Sequence, residues 1–317
     1  MSLVTRLAAM ALLMTISNAP LAQEYPNKLI RILLGGGPDA AARMIAEKLQ
    51  ASWGQPVIVE NKPQVGGTIM SQEVANSPPD GHTLMFCSSG QFMVLPFYKL
   101  NYDMVRDFAP VTQITTMPFV LSVHPSVPAG SARELIALAK AKPGIYNFAS
   151  SGAGTPPHLV GEMFNIESGI KMVHVPYKTV AQATSDLLGA HVQVMFVVAT
   201  AALPLLANAS IRGLAVSTEK RSPFLPNIPT VAEAAGLPGF SADAWNGFCA
   251  PAKTPASVIS KLNAEIIRII RTPEIEKRLA GLGNTIVAST PEAFGIFMAG
   301  ERDKWFKYAR VLGVVPE

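Results

Sequence analysis

Cysteine is nearly absent from the 317-residue chain: Cys87 and Cys249 are the only two, and they lie far apart. That excludes a disulfide-stapled scaffold and any CxxC metal knuckle. It leaves open whether the two residues pair or stay as buried thiols. The five histidines (His82, His124, His158, His174 and His191) show no HxxxH or HExxH spacing, so no metal site is expected. Charge is also sparse, at 15% of residues, and the 26 Lys and Arg are dispersed rather than clustered. The resulting net charge of +4 suits anionic small molecules and argues against nucleic acid. Neither GxGxxG nor GxSxG occurs, which removes the dinucleotide fingerprint and the nucleophile elbow. No apolar run beyond the first residues is long enough to span a bilayer.

The first residues read as a secretory signal, residues 1–22. Arg6 gives a short positive region, residues 7–16 are apolar, and Ser17, Asn18 and Ala19 offer small side chains for cleavage, as does Ala22. The mature chain is expected in the periplasm, soluble and monomeric, without a cofactor. Roughly 295 residues then remain, enough for two domains of ordinary size.

In chain order, residues 28–34 form an apolar run that predicts a strand buried on both faces. A glycine-rich turn follows (Gly35, Gly36, Gly37, Pro38), with Asp39 suited to cap a helix over 40–53, and residues 56–60 read as the next strand. This β-α-β plan predicts a parallel sheet in an α/β fold. Residues 82–87 form another strand, ending in the small polar loop Ser88-Ser89-Gly90, whose hydroxyls can donate to a carboxylate. Residues 107–124 form a long strand-like stretch, the expected crossing into a second lobe, with the return near 238–245. Helix starts are expected at the capping boxes of Ser131 and Thr230, and at Thr254, Thr272 and Thr290, each followed by proline. The charged run 301–304 in the last helix reads as a solvated face.

Most functional information lies in residues 147–164, NFASSGAGTPPHLVGEMF. They predict a short strand, a glycine-loosened turn and a helix with Thr155 as N-cap and Pro156 at the first helical position. Gly152 and Gly154 leave the backbone bare, and a helix start carries unpaired N–H groups and partial positive charge. The stretch therefore reads either as a carboxylate or phosphate receptor or as a well-capped helix. Downstream, Tyr177, Lys178 and Thr179 precede another helix and are placed to close over an anion; packed tyrosine and surface lysine is the plainer reading.

A family resemblance rests on Tyr25-Pro26, GQPVIVEN at 54–61, Gly66-Gly67, PDG at 79–81, DFAPV at 107–111, LIALAK at 135–140, HVPYK at 174–178, LAV at 214–216, RSP at 221–223, IPTVAE at 228–233 and LPG at 237–239. In this order and spacing they resemble the receptors of tripartite tricarboxylate transporters, the Bug or TctC type of periplasmic solute-binding protein. The resemblance implies an α/β fold of the two-lobed type II periplasmic-binding kind, each lobe a mixed sheet flanked by helices. It implies residues 23–121 plus 240–317 as one lobe and 122–239 as the other, closing on a small organic acid delivered to membrane permease subunits. The implied contacts are Gly36, Gly37 and Asp39 after the first strand, Ser88 and Ser89 after the third, and Gly152, Gly154, Thr155 and His158 from the second lobe. Three departures mark this chain. Its first loop is shorter than the family's, Ser89 stands where the family often has Asn, and Val197 stands where an Asp is common. Lacking that Asp, the site is less suited to a ligand ammonium.

Two other classes stay open at this point. An exported hydrolase would need a nucleophile and a base, for which His158 beside the Ser/Thr loop is the sole arrangement found. A ligand-sensing protein would use the same closure to signal to a membrane partner.

Overall fold

In the computed structural model, residues 25–35, 40–62 and 67–315 are described. The expected signal peptide and the loop residues Gly36, Gly37 and Asp39 lie outside them. Strand β1 (Ile30–Leu34) pairs in parallel with β2 (Val57–Asn61) and with β3 (Thr83–Ser88). The connections carry helices α1 (Ala40–Trp53) and α2 (Thr68–Ala75), the crossovers that parallel pairing requires. Ile30, Ile32, Leu33 and Leu34 are all buried, as the continuous apolar run demands. Helix α3 (Ser89–Val94) follows β3 at once, so Ser88-Ser89-Gly90 is a helix start and not the expected loop.

Strand β4 (Phe108–Val123) is the spine of the molecule. The chain continues through α4 (Ala132–Ala141), β5 (Asn147–Ser150), α5 (Pro156–Ser168), β6 (Val173–Pro176), α6 (Val180–Leu188), β7 (Val194–Val198), α7 (Ala199–Ala207), β8 (Arg212–Val216) and α8 (Val231–Ala235). It returns through β9 (Asp243–Pro251), α9 (Ala256–Ile270), α10 (Pro273–Gly281), β10 (Thr285–Ile286) and α11 (Pro291–Val311). The strand order is β2-β1-β3-β9-β4-β7-β5-β6, with β8 and β10 also paired to β4.

The spine changes sheets in the middle. From Phe108 to Pro118 it pairs antiparallel with β9; from Phe119 to Val123 it pairs with β7 and β8. Pro118, which has no N–H to extend the first ladder, is its last paired residue. The Phe119 N–H instead donates to the Ser217 hydroxyl at 2.9 Å. Ser217 Oγ donates to Ala242 O at 2.6 Å, and Ala242 N–H donates to Ser217 O at 3.0 Å. One buried serine thus ties both passages between the sheets together.

Several local expectations need correction. Thr254 does not cap α9: the N-cap is Pro255, and the Thr254 hydroxyl donates to Pro251 O. Thr272 occupies its N-cap position, but its hydroxyl donates backward to Ile269 O. Thr230 and Thr290 do accept from the first turns of their helices. The run 301–304 is not uniformly solvated. Glu301 is 5% exposed and accepts from the Trp245 indole at 2.9 Å and the Trp305 indole at 3.3 Å, and it pairs with Lys304. Cys87 and Cys249 are buried free thiols whose sulfurs lie 3.0 Å apart on neighbouring strands.

Asp243 stands opposite Pro118, where the first ladder ends. Its Oδ2 accepts from Thr116 at 2.9 Å, while its buried Oδ1 has no partner among the described residues. Desolvation pushes this carboxyl up to about 6, against hydrogen bonding from Thr116 and the field of Lys304. A carboxyl raised in the fold binds its proton more tightly than in the unfolded chain. Its cost to stability is therefore absent below about pH 4, grows between about pH 4 and 6, and is full above that. At 1.36 kcal/mol per unit, the ceiling is about 3 kcal/mol. Asp243→Asn keeps an acceptor for Thr116 and removes the charge, so melting curves should show it more stable than wild type at pH 8 and equal at pH 4. No gain at pH 8 would mean that Lys304 offsets the burial.

Candidate functional site: an interlobe cleft

Strand β3 ends at the start of α3 and β5 at the turn before α5, and between them lies a cavity of about 700 Å³. Its floor and sides come from both sheets: Phe86, Met117, Phe119, Met195, Phe196 and Trp245. This is the carboxyl end of parallel strands, where open α/β sheets take ligands.

The first wall is the start of α3. The Ser88 N–H donates to Gln91 Oε1 at 2.8 Å, the reciprocal arm of a capping box. With its oxygen held there, Gln91 directs its other amide atom elsewhere. Gln91 is 5% exposed and lines the cavity, and its Nε2 is buried with no partner among the described residues. Ser88 and Ser89 line the cavity as expected, Ser89 almost wholly buried. Gly35 lies beside them. A Cβ at Gly35 would stand 2.6 Å from Gly67 Cα and 3.1 Å from Gln91 Nε2, so only glycine lets these two backbones meet next to the amide.

The second wall is the turn between β5 and α5, and it is held from within. The Gly152 N–H donates to Ser150 Oγ at 3.1 Å, and the Gly154 N–H donates to His158 Nδ1 at 3.0 Å. Gly152 O accepts from the Thr155 hydroxyl at 2.7 Å and from the Thr155 N–H at 3.3 Å. Gly152 and Gly154 have φ of 126° and 75°, which the turn requires. Thr155 is the N-cap residue, but its hydroxyl serves the turn and not the helix. The expectation of bare N–H donors is therefore narrowed. Pro156 and Pro157 bring none, and those of Gly152, Gly154 and Thr155 are already used.

His158 sits behind this wall. Its ring stacks on His174 at 3.9 Å, and His174 Nε2 lies 2.6 Å from Ser150 Oγ. Burial, and then His174, push His158 down to about 4. Because Nδ1 accepts from Gly154, the ring is neutral at ordinary pH, with its proton on Nε2. It holds the turn in shape and does not line the cavity.

Gly154, Thr155, Ser88 and Ser89 are thus brought together, with Gly152 and His158 one layer behind. Tyr177, Lys178 and Thr179 are not. The Tyr177 hydroxyl donates to Asp186 at 2.6 Å, and desolvation and then Asp186 push it up to about 12. Lys178 is exposed, and Thr179 caps α6 by accepting from Gln182 N–H. Tyr177 and Lys178 line a separate, shallower cleft with Gln182, Ser185 and Asp186. Gln91, Phe119, Trp245 and Asn246 were not singled out from the sequence. Only Gln91 had a local signal, the Ser-x-x-Gln spacing that follows a strand.

Among the described residues, no cluster of His, Cys, Asp or Glu could hold a metal ion, and no helix is long and apolar enough to cross a membrane. The profile of the Tripartite tricarboxylate transporter family receptor matches residues 41–313. A protein from the tcbD-tcbE intergenic region of Pseudomonas sp. strain P51 is 37% identical, the match covering 95% of this chain and 92% of that protein. BugT of Bordetella pertussis is 33% identical, over 92% and 91%. Among solved structures, R. palustris Rpa4515 with adipate aligns with a TM-score of 0.77 at 31% identity, covering 93% of this chain and 100% of the other.

Proposed function

The chain belongs to the tripartite tricarboxylate transporter receptor family, and on that premise we propose that it captures a small organic acid between its two sheets and delivers it to membrane permease subunits. The family is one of substrate-binding receptors, not of enzymes. The observation that carries the reading is the cavity itself. It is walled by the ends of β3 and β5, and it is lined by both halves of the chain. A Cβ at Gly90 of the first wall would come within 3.7 Å of Pro156 of the second, so the two walls already approach each other.

Closure needs a hinge, and the place for it is the switch at Pro118 and Phe119 with the Ser217 joint. In this reading the boundary expected at 121 falls at the switch itself, because Phe119–Leu121 pair with β7, and residues 23–118 and 240–317 move as one lobe against 119–239. The relative with adipate supports a carboxylate as the ligand here. Residues 1–22 act as a removed signal, and the receptor works in the periplasm as a monomer.

The experiment is a thermal-shift screen of the mature chain against organic acids, amino acids and aromatic acids. A ligand at a hundred times its Kd stabilises the fold by about 2.7 kcal/mol, a visible shift. A well-folded protein with no hit would remove the receptor reading. Thr155→Val adds a site test: without its hydroxyl the turn loses the bond to Gly152 O, a net loss of about 1 kcal/mol in stability. Affinity for a hit should fall severalfold while the fold persists. Unchanged affinity would reduce this turn to a capped helix start.

A further inference from the structure

We infer that the cleft takes a monocarboxylate whose remaining body is uncharged and apolar, with Gln91 Nε2 as the carboxylate's donor in the first lobe. The inference rests on the receptor reading and narrows it.

Two observations carry it. First, no Lys, Arg, His, Asp or Glu lines the cavity among the described residues. Each carboxylate that enters must exchange water for neutral donors, and the side chains that offer one are few: Ser88, Ser89 and Gln91 on one wall, Ser151 and Thr155 on the other, with Tyr98 and Asn246. Of these, Thr155 has given its proton to Gly152 O. The remaining surface is Phe86, Phe97, Met117, Phe119, Phe196 and Trp245, with further aliphatic side chains. A second carboxylate placed against that surface would be desolvated without a partner. An alkyl or aromatic body placed there gains from the same burial.

Second, the Gln91 amide is oriented before any ligand arrives. Its Oε1 is fixed by the Ser88 N–H, and its Nε2 is left buried, without a partner among the described residues, between Gly67 and Gly35, the latter itself a lining residue of the cavity. A buried donor without an acceptor is costly, and a ligand carboxylate supplies the acceptor. The ring of Trp245 is likewise held in place, by Glu301, so the apolar side is preformed.

The test is calorimetric titration of the mature protein with benzoate, 3-phenylpropionate, octanoate, adipate and malate. One of the three monocarboxylates should bind at least tenfold more tightly than either dicarboxylate. Preference for a ring or for a chain would then show which apolar body fits. Gln91→Glu keeps the acceptor for the Ser88 N–H and turns the donor into a carboxylate oxygen; it should weaken the preferred acid at least tenfold. Tighter binding of adipate or malate would overturn the inference while sparing the receptor reading. Equal affinity in wild type and a folded Gln91→Glu would overturn the role of Gln91. No binding by any of the five, nor by any acid of the wider screen, would count against the receptor reading itself. Because the ligand ranking is measured on wild type, it stands even if the variant fails to fold.

Discussion

Glu301→Ala is expected to destabilise the protein by about 3 kcal/mol, the low end of what breaking a buried ionic contact costs. The carboxylate is 5% exposed and accepts from two indole N–H groups, those of Trp245 and Trp305, while pairing with Lys304. Removing it strands two buried donors, each at a cost of about 1–3 kcal/mol. Lys304 retains its bond to Ser241 O at 3.1 Å and bears less of the loss. Because Trp245 walls the cleft, the same variant should also bind ligand more weakly. Glu301→Gln, which preserves shape and one acceptor oxygen, should recover part of the stability. Urea unfolding measures both. A change below 0.5 kcal/mol, of the order seen for surface substitutions, would mean that the carboxylate is not the anchor of the two indoles.

Gly161→Ala should be the second most damaging single change, and magnitudes decide its sign. Alanine favours a helix over glycine by about 1 kcal/mol, so on an exposed face the substitution would stabilise. Gly161 is instead buried in α5, and a Cβ there would lie 2.3 Å from Phe148 Cε2 and 2.6 Å from its Cδ2. Phe148 is fully buried and packed among His158 and His174, with no room to withdraw. Overpacking of this kind costs about 1–3 kcal/mol, enough to cancel the helical gain and leave a net loss. Since α5 begins at the turn that forms the second wall, ligand affinity should fall with stability. Combining Gly161→Ala with Phe148→Leu should return much of both, and the double-mutant cycle isolates the clash. A stable Gly161→Ala protein with unaltered binding would show that the helix can lift off β5 without moving the turn.

These two residues also show what the sequence reveals and what it hides. The first β-α-β unit, the long crossing strand and the strand-turn-helix at 147–164 are local patterns, carried by apolar runs, glycines and caps, and all were legible. Glu301 misled because it sits in a charged tetrad. Yet Phe294, Met298, Glu301, Trp305 and Tyr308 recur at helical spacing along one buried stripe, and that periodicity was the available warning. What no local pattern shows is that Trp245 arrives from another strand to receive the carboxylate. The cleft behaves likewise. Its second wall was visible as Gly152, Gly154 and Thr155, but the use of its N–H groups within the turn depends on Ser150 and His158 side chains in three dimensions. Tyr177 and Lys178 looked like a clasp because they are adjacent in sequence, whereas the fold gives the Tyr177 hydroxyl to Asp186.

The most direct measurement is a crystal structure of the mature protein grown with the tightest acid from the screen. Density for its carboxylate is expected between Ser88 and Gln91 and the turn at 151–155, within hydrogen-bond distance of Gln91 Nε2, with the body against Phe119 and Trp245. An acid seated elsewhere, such as the cleft of Tyr177, Lys178 and Gln182, with the central cavity filled only by solvent, would contradict capture between the sheets.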